Sequence, residues 1–262
     1  MDEVNKTLYI PLYGKAKVSR QGIILDDPDA ERIWKAEAFQ IRGKSGSKWL
    51  AYNMAMRARV FDAWTVKMLK KNPGALVLHI GCGLDSRYKR VKIPYAKWAD
   101  CDLPDVIAIR RKHFQETPGY QMTALDASRP EQIRVLPDSD TAIVVLEGLS
   151  MYLTRTQLRN FLEALDKKYR ALHILMDVYT EFGAIASKYR NPVNDVGVTR
   201  LYGVDDIGNV ISGLRIRVSR EHSFTPRVLV NELAPLDRGI FKLLFTGKLY
   251  RKIYRLYELE AH

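Results

Sequence analysis

The apolar run at residues 75–80 breaks directly into Gly81-Cys82-Gly83-Leu84-Asp85, and from there short apolar runs alternate with longer amphipathic ones. A strand that ends in a glycine turn and feeds a helix opens a βαβ unit, and repeating that unit builds a parallel sheet with helices on both faces. The alternation predicts further strands at 96–100, 120–124, 141–146 and 172–178, with helices at 104–116 and 154–169. Helical crossovers between strands force them parallel, so the expected fold class is α/β, a doubly wound, mostly parallel sheet.

On either side of this core the pattern is less regular. The first forty residues show one helical stretch, 29–39, introduced by Asp27-Pro28-Asp29, and no clear period before it. A polar breaker at 43–48 precedes a long helix at 49–71, which Asn72-Pro73-Gly74 stops. After Thr180 come another helix, a loop rich in Asn, Pro and Gly at 191–197, and alternating segments at 215–218 and 242–257 that suit antiparallel strands closing the sheet.

Composition removes several function classes. The longest apolar runs are strand-sized, far below the roughly 20 residues of a membrane span, so no membrane partner is expected. The start, Met1-Asp2-Glu3, lacks the basic and then apolar regions of a secretory signal, which makes the cytoplasm the expected compartment. Two cysteines, Cys82 and Cys101, without a CxxC spacing imply free thiols and no metal site. Lys and Arg total 42 against 30 acidic residues, a formal charge of +12 that attracts anions without saying which.

The glycine turn and three later acids together describe a ligand. A dinucleotide fingerprint needs a third glycine, and Ser86 stands there instead, which disfavours pyrophosphate and a dehydrogenase. Nineteen residues after Gly83, Asp102 follows the second strand, where a carboxylate accepts from both ribose hydroxyls. Leu125-Asp126 follows the third strand, within reach of an adenine amine, and Glu147-Gly148 ends the fourth. Any one of these acids also fits a helix cap or a turn. Placed after successive strands, they imply a nucleoside without a diphosphate.

Gly81-Cys82-Gly83-Leu84-Asp85-Ser86-Arg87, Asp102-Leu103-Pro104-Asp105-Val106-Ile107 and Glu147-Gly148-Leu149-Ser150-Met151-Tyr152-Leu153 resemble, in order and spacing, the three motifs of the leucine carboxyl methyltransferase family, whose superfamily includes bacterial polyketide O-methyltransferases. The likeness covers about residues 49–165. Ser86 departs from the family's commoner threonine, and Cys82 stands where small residues are usual. The resemblance implies a Rossmann-like methyltransferase fold and S-adenosylmethionine as cofactor, held by Gly81, Gly83, Asp102, Leu103, Leu125, Asp126, Glu147 and Gly148. It also makes Arg57-Ala58-Arg59-Val60-Phe61-Asp62 similar to the family's arginine-bearing helix, so that Arg57, or else Arg59, forks onto the methionine carboxylate. Glu147 would face the sulfonium. One domain, 1–262, is then expected, with a helical lid at 1–72, a cofactor-binding core at 73–180, and sheet completion with the acceptor pocket at 181–262.

Transfer from a sulfonium is an in-line displacement, so the protein mainly aligns and desolvates the acceptor. The expected product is a methylated carboxylate or hydroxyl of a small, anionic, polyketide-like molecule. Tyr152 is the candidate for orienting the acceptor oxygen, although a Met-Tyr-Leu run also suits packing. Carboxylates, with pKa near 4, need no base, whereas phenols near 10 do. Of the histidines, His79 and His173 fall inside strands and suit a core role, which leaves His222. Arg87, Arg90 and Arg200 are candidates for steering an anion to the mouth, with Arg87 equally suited to pairing Asp85 or Asp102. The rival readings are an RNA methyltransferase, favoured by the charge but lacking a base-methylation motif or RNA-binding module, and a non-catalytic cofactor-binding protein.

Overall fold

The computed structural model describes residues 7–41, 43–190 and 201–262. Helices α1 (Tyr9–Arg20), α2 (Pro28–Glu37) and α3 (Lys48–Lys71) precede β1 (Leu76–Ile80). The chain continues through α4 (Arg87–Arg90), β2 (Lys97–Asp102), α5 (Pro104–Arg110), β3 (Tyr120–Ala124), β4 (Thr141–Leu146), α6 (Arg155–Lys168) and β5 (Ala171–Tyr179). It closes with α7 (Glu181–Arg190), α8 (Ile207–Ile211), β6 (Arg217–His222), α9 (Arg227–Val230), α10 (Pro235–Phe245), α11 (Gly247–Arg251) and β7 (Tyr254–Ala261).

The strands form one sheet in the order β3-β2-β1-β4-β5-β7-β6. The first five run parallel, and β7 pairs antiparallel with both β5 and β6. This is the expected doubly wound, mostly parallel sheet. Strand order reverses between β1 and β4, and the crevice at such a switch point is where open α/β sheets bind ligands.

Burial on both faces explains why β1 is apolar at every position but His79. Leu76, Leu78 and Ile80 join the cluster that takes Phe161, Leu162 and Leu165 of α6. Val77 points the other way, into a cluster with Leu12, Ile33, Phe61 and Trp64 from the three leading helices. Local signals fix the helix starts: the Asp27 carboxylate accepts from Ala30 N–H at 2.9 Å, and Thr154 and Gln157 make a capping box before α6.

The structure corrects several expectations. The segment without a period contains α1, whose buried face includes Gly14, Lys15 and Ala16 beside Ile10, Leu12 and Val18. A small residue is needed at Gly14, because an added Cβ would lie 3.2 Å from the Cα of Ala51 in α3. The helix expected at 104–116 stops at Arg110, whose side chain turns in to pair with Asp100. The second strand runs on through Asp102. His222 ends a strand, and the stretch 242–257 divides into the end of α10, α11 and the start of β7. No helix among the described residues is long and apolar enough to cross a membrane. The 191–197 loop and Arg200 lie outside the described residues.

Candidate active site

At the carboxyl ends of the parallel strands lies a cavity of about 920 Å³. The strand-end residues singled out from the sequence line it together: Gly81 and Gly83 after β1, Asp102 and Leu103 at the end of β2, Leu125 and Asp126 after β3, and Glu147 and Gly148 after β4. Arg57 reaches it from α3, and Tyr152 from a short turn after β4. Arg59 does not line it. Two residues further along the helix, it points roughly 200° round the axis, and its side chain is exposed.

The first turn explains its own glycines. Gly81 has φ +73°, in the left-handed region, and a Cβ there would stand 3.1 Å from Leu149. Asp102 stitches the turn to β2, since Oδ2 accepts from Gly83 N–H at 2.7 Å and Oδ1 from Leu103 N–H at 2.8 Å. Burial raises its pKa, and those two N–H groups offset this only in part. Each oxygen keeps a lone pair for a ligand hydroxyl. Asp126, partly exposed, accepts from the N–H and hydroxyl of Ser128 at 2.9 and 2.7 Å.

Beneath this floor, Lys15, Arg57, Arg87 and Arg90 interlock with Asp27, Asp62, Asp85, Glu147 and Asp177, every side chain at most 7% exposed. Arg57 Nε donates to Glu147 at 3.1 Å, and its Nη1 to Asp177 at 3.0 Å and to the Tyr254 hydroxyl at 2.9 Å. Its Nη2 has no partner among the described residues. Gly148, at φ +72°, makes that end reachable, because a Cβ there would lie 3.1 Å from Nη2.

Glu147 is therefore not a free charge facing a ligand. Its oxygens are taken by Arg57 and Arg87, and although burial acts to raise its pKa, Arg87, then Arg57 and Lys15, hold it down to about 2. Arg87 and Arg90 do not sit at the mouth either. Arg87 donates to Asp62 at 2.7 Å and to Glu147, and Arg90 pairs with Asp62, Asp27 and Asp85. His79 lines the cavity, but Arg87 Nη1 lies 3.1 Å from its Nε2, so that nitrogen accepts; burial and then Arg87 lower its pKa and keep it neutral. His222 is remote on β6, paired to Glu258 at 2.6 Å.

The sequence reading missed Asp177, Tyr254 and Lys15. Asp177 left a signal: it is the one acid within the apolar run 172–178. It is fully buried, accepts from Gly148 N–H at 2.7 Å, and has its pKa raised by burial against the pull of Arg57. Lys15 pairs with Asp85, drawing α1 onto the glycine turn.

Matching against family models decides what this geometry belongs to. The leucine carboxyl methyltransferase model matches residues 13–166, more than half the chain. The chain belongs to the leucine carboxyl methyltransferase family. As a member of that family it is an S-adenosylmethionine-dependent methyltransferase. It is 29% identical over 95% of its length, and 96% of the relative's, to the tetracenomycin polyketide synthesis O-methyltransferase TcmP of Streptomyces glaucescens. It is 33% identical to the S-adenosyl-L-methionine-dependent methyltransferase dpfgK of Gibberella zeae, over 63% of this chain and 61% of that one. Solved structures share this family member's fold. The magnesium protoporphyrin IX methyltransferase of Synechocystis with bound S-adenosylhomocysteine superposes with a TM-score of 0.55 at 11% identity, covering 90% of this chain and 95% of that one. The N-methyltransferase NodS of Bradyrhizobium japonicum with S-adenosylhomocysteine gives 0.51 at 11%, covering 90% and 99%.

Proposed function

We propose that the cavity seats S-adenosylmethionine over the strand ends and an anionic small molecule in the half walled by the carboxyl-terminal third, and that a methyl group passes to an oxygen of that molecule. The observation that carries this is the continuity of the cavity from Gly81, Asp102 and Asp126 to Tyr179, Phe245 and Tyr250. Its volume lies at the upper end of the roughly 300–1,000 Å³ of small-molecule sites, enough for two ligands side by side.

The residues present fit the cofactor. Arg57, with Nη1 and Nε already tied down, offers Nη2 to the methionine carboxylate beside the bare Gly148. Asp102 accepts from the ribose hydroxyls and Asp126 from the adenine amine, while Gly81, Gly83, Leu103 and Leu125 shape the floor. Glu147 and Asp177 hold Arg57 in place. When bound, the cofactor supplies an electrophilic methyl group: the O–CH₃ bond forms from an oxygen lone pair as the S–CH₃ bond breaks and its electron pair returns to sulfur. The segments follow from this: 1–72 as lid, 73–180 for the cofactor, 181–262 for sheet completion and acceptor.

Among the described residues of the cavity, no histidine or carboxylate is left over to act as a base on the acceptor. His79 is held neutral and hydrogen-bonded to Arg87, and Asp85 and Glu147 are consumed by arginine and lysine. An oxygen that arrives ionised, above all a carboxylate, needs only alignment and exclusion of water. Tyr152, raised to about 12 chiefly by burial, stays protonated and donates to that oxygen. The tetracenomycin relative's name supports a polyketide-like acceptor.

Calorimetric titration tests the cofactor half. Wild type should bind S-adenosylmethionine at micromolar levels and not NADH, with at least a tenfold loss in Asp102→Ala and in Arg57→Ala. Mass spectrometry of turnover mixtures should then show methyl esters of carboxylic acids before phenol ethers, and no methylated RNA. Absence of S-adenosylmethionine binding by the wild type would overturn the assignment.

A further inference from the structure

Asn53 lies one helical turn before Arg57 on the same face of α3, lines the same cavity, and is only 2% exposed. Its Oδ1 accepts from the Tyr250 hydroxyl at 3.1 Å, across 197 residues of chain. Its Nδ2 is buried with no hydrogen-bond partner among the described residues. Buried amide donors are nearly always satisfied in folded proteins, so one left over in a ligand cavity calls for a ligand atom.

What surrounds the amide narrows that atom. Tyr250 is fixed by edge contacts with Phe224 and Phe245, at ring centroids of 6.2 and 5.7 Å. Burial, more than any neighbouring charge, pushes its hydroxyl up and keeps it a donor. With that donor on Oδ1, the amide group left without a partner among the described residues is the Nδ2 N–H. Leu50, Met54 and Phe245 make the neighbouring wall apolar.

We propose that Asn53 is a specificity-determining residue of the acceptor half: its Nδ2 donates to a carbonyl-type oxygen on the apolar part of the acceptor, away from the group that is methylated, and Tyr250 positions the amide. This rests on the methyltransferase reading of the cavity. A site built to bond one oxygen rejects an analogue lacking it far more strongly than a hydrophobic pocket rejects a missing methylene.

The test uses 9-fluorenone and fluorene, which differ by one carbonyl oxygen, titrated against the full-length protein saturated with S-adenosylhomocysteine. Wild type should bind the ketone at least tenfold more tightly. In the Asn53→Leu/Tyr250→Phe double variant the two should bind alike, with S-adenosylmethionine affinity unchanged and the thermal midpoint unchanged or raised, because the orphaned donor is gone. Equal binding of both probes by wild type, binding of neither, or a preference that survives the double change overturns the proposal. So does a lowered midpoint with the ketone preference intact, which is the mark of a purely structural pair. If S-adenosylmethionine binds while the probes fail, this inference falls alone. If the cofactor fails to bind, the underlying reading falls and takes it along.

Discussion

Arg57 is held on three sides by Glu147, Asp177 and Tyr254, which leaves it one rotamer and one free end. A guanidinium so anchored loses little further entropy on meeting a carboxylate, whereas a lysine ammonium would be a point charge that cannot bridge all three. Gly148 guards that free end, and the prediction at this scale concerns it. Gly148→Ala meets two penalties: a φ of +72° that costs an L-residue about 1–2 kcal/mol, and a Cβ 3.1 Å from Nη2 that forces the arginine aside. The variant should remain folded, with a thermal midpoint a few degrees lower, and bind S-adenosylmethionine at least tenfold more weakly by calorimetry. Affinity equal to wild type would show that Nη2 does not meet the cofactor.

Among the elements, those that composition could reveal are the ones whose buried faces are simply apolar. β3 and β4 end where the alternation put them, because each is a run of apolar or alternating residues bounded by turn formers. Helix α1 stayed hidden because its inward face carries Gly14, Lys15 and Ala16, and a lysine reads as solvent-facing until its partner Asp85, seventy residues on, is known. Arg90 stayed hidden for the same reason: a count of positive charge places it at a surface, while the fold buries it against Asp62. For Arg87 the alternative of pairing with Asp85 is the one realised, at 3.8 Å, while its closer contact with Asp62 had no local signal. Arg59 and Arg57 were separable in principle by helical periodicity, since Phe61 and Asp62 share the buried side with Arg57. Lys15→Met tests how far α1 depends on its buried pair. Asp85 would keep Arg90 at 3.0 Å and the Arg87 N–H at 2.7 Å, so the protein should fold. Losing one charge-assisted bond costs about 1.5–3 kcal/mol, and hydrogen exchange of the α1 amides should accelerate by more than tenfold while that of β1 is unchanged. Equal protection of α1 in both proteins would mean that apolar packing alone holds it.

For the whole molecule, the four cations buried under the cavity leave the formal +12 essentially intact as an outward field, because the five carboxylates buried with them are counted in it too. That buried cluster also sets the acid limit of the fold. Arg90, Lys15 and Arg87 outweigh burial and hold Asp85 well below the usual carboxylate range, and Glu147 lies at about 2. Carboxylates depressed in the folded state bind fewer protons there than in the unfolded chain, so their stabilisation is complete above the unfolded pKa and is lost as pH falls through the folded one. For Glu147 that window runs from about 4.3, where an unfolded glutamate titrates, down to about 2. Asp177, raised by burial, has the opposite sign and softens the slope without reversing it, since Asp85 and Glu147 both outlie it on the acid side. The thermal midpoint should therefore begin to slip as pH falls through about 6.5, where the unfolded chain protonates the histidine that the fold keeps neutral at His79, and fall steeply between about 4.3 and about 2. Glu147→Gln should start lower at pH 7, because Arg57 and Arg87 lose a buried counter-charge, and should descend less steeply through the window. Calorimetric scans at half-unit steps would read both effects, and parallel descents for the two proteins would show that Glu147 is not the group whose protonation opens the site.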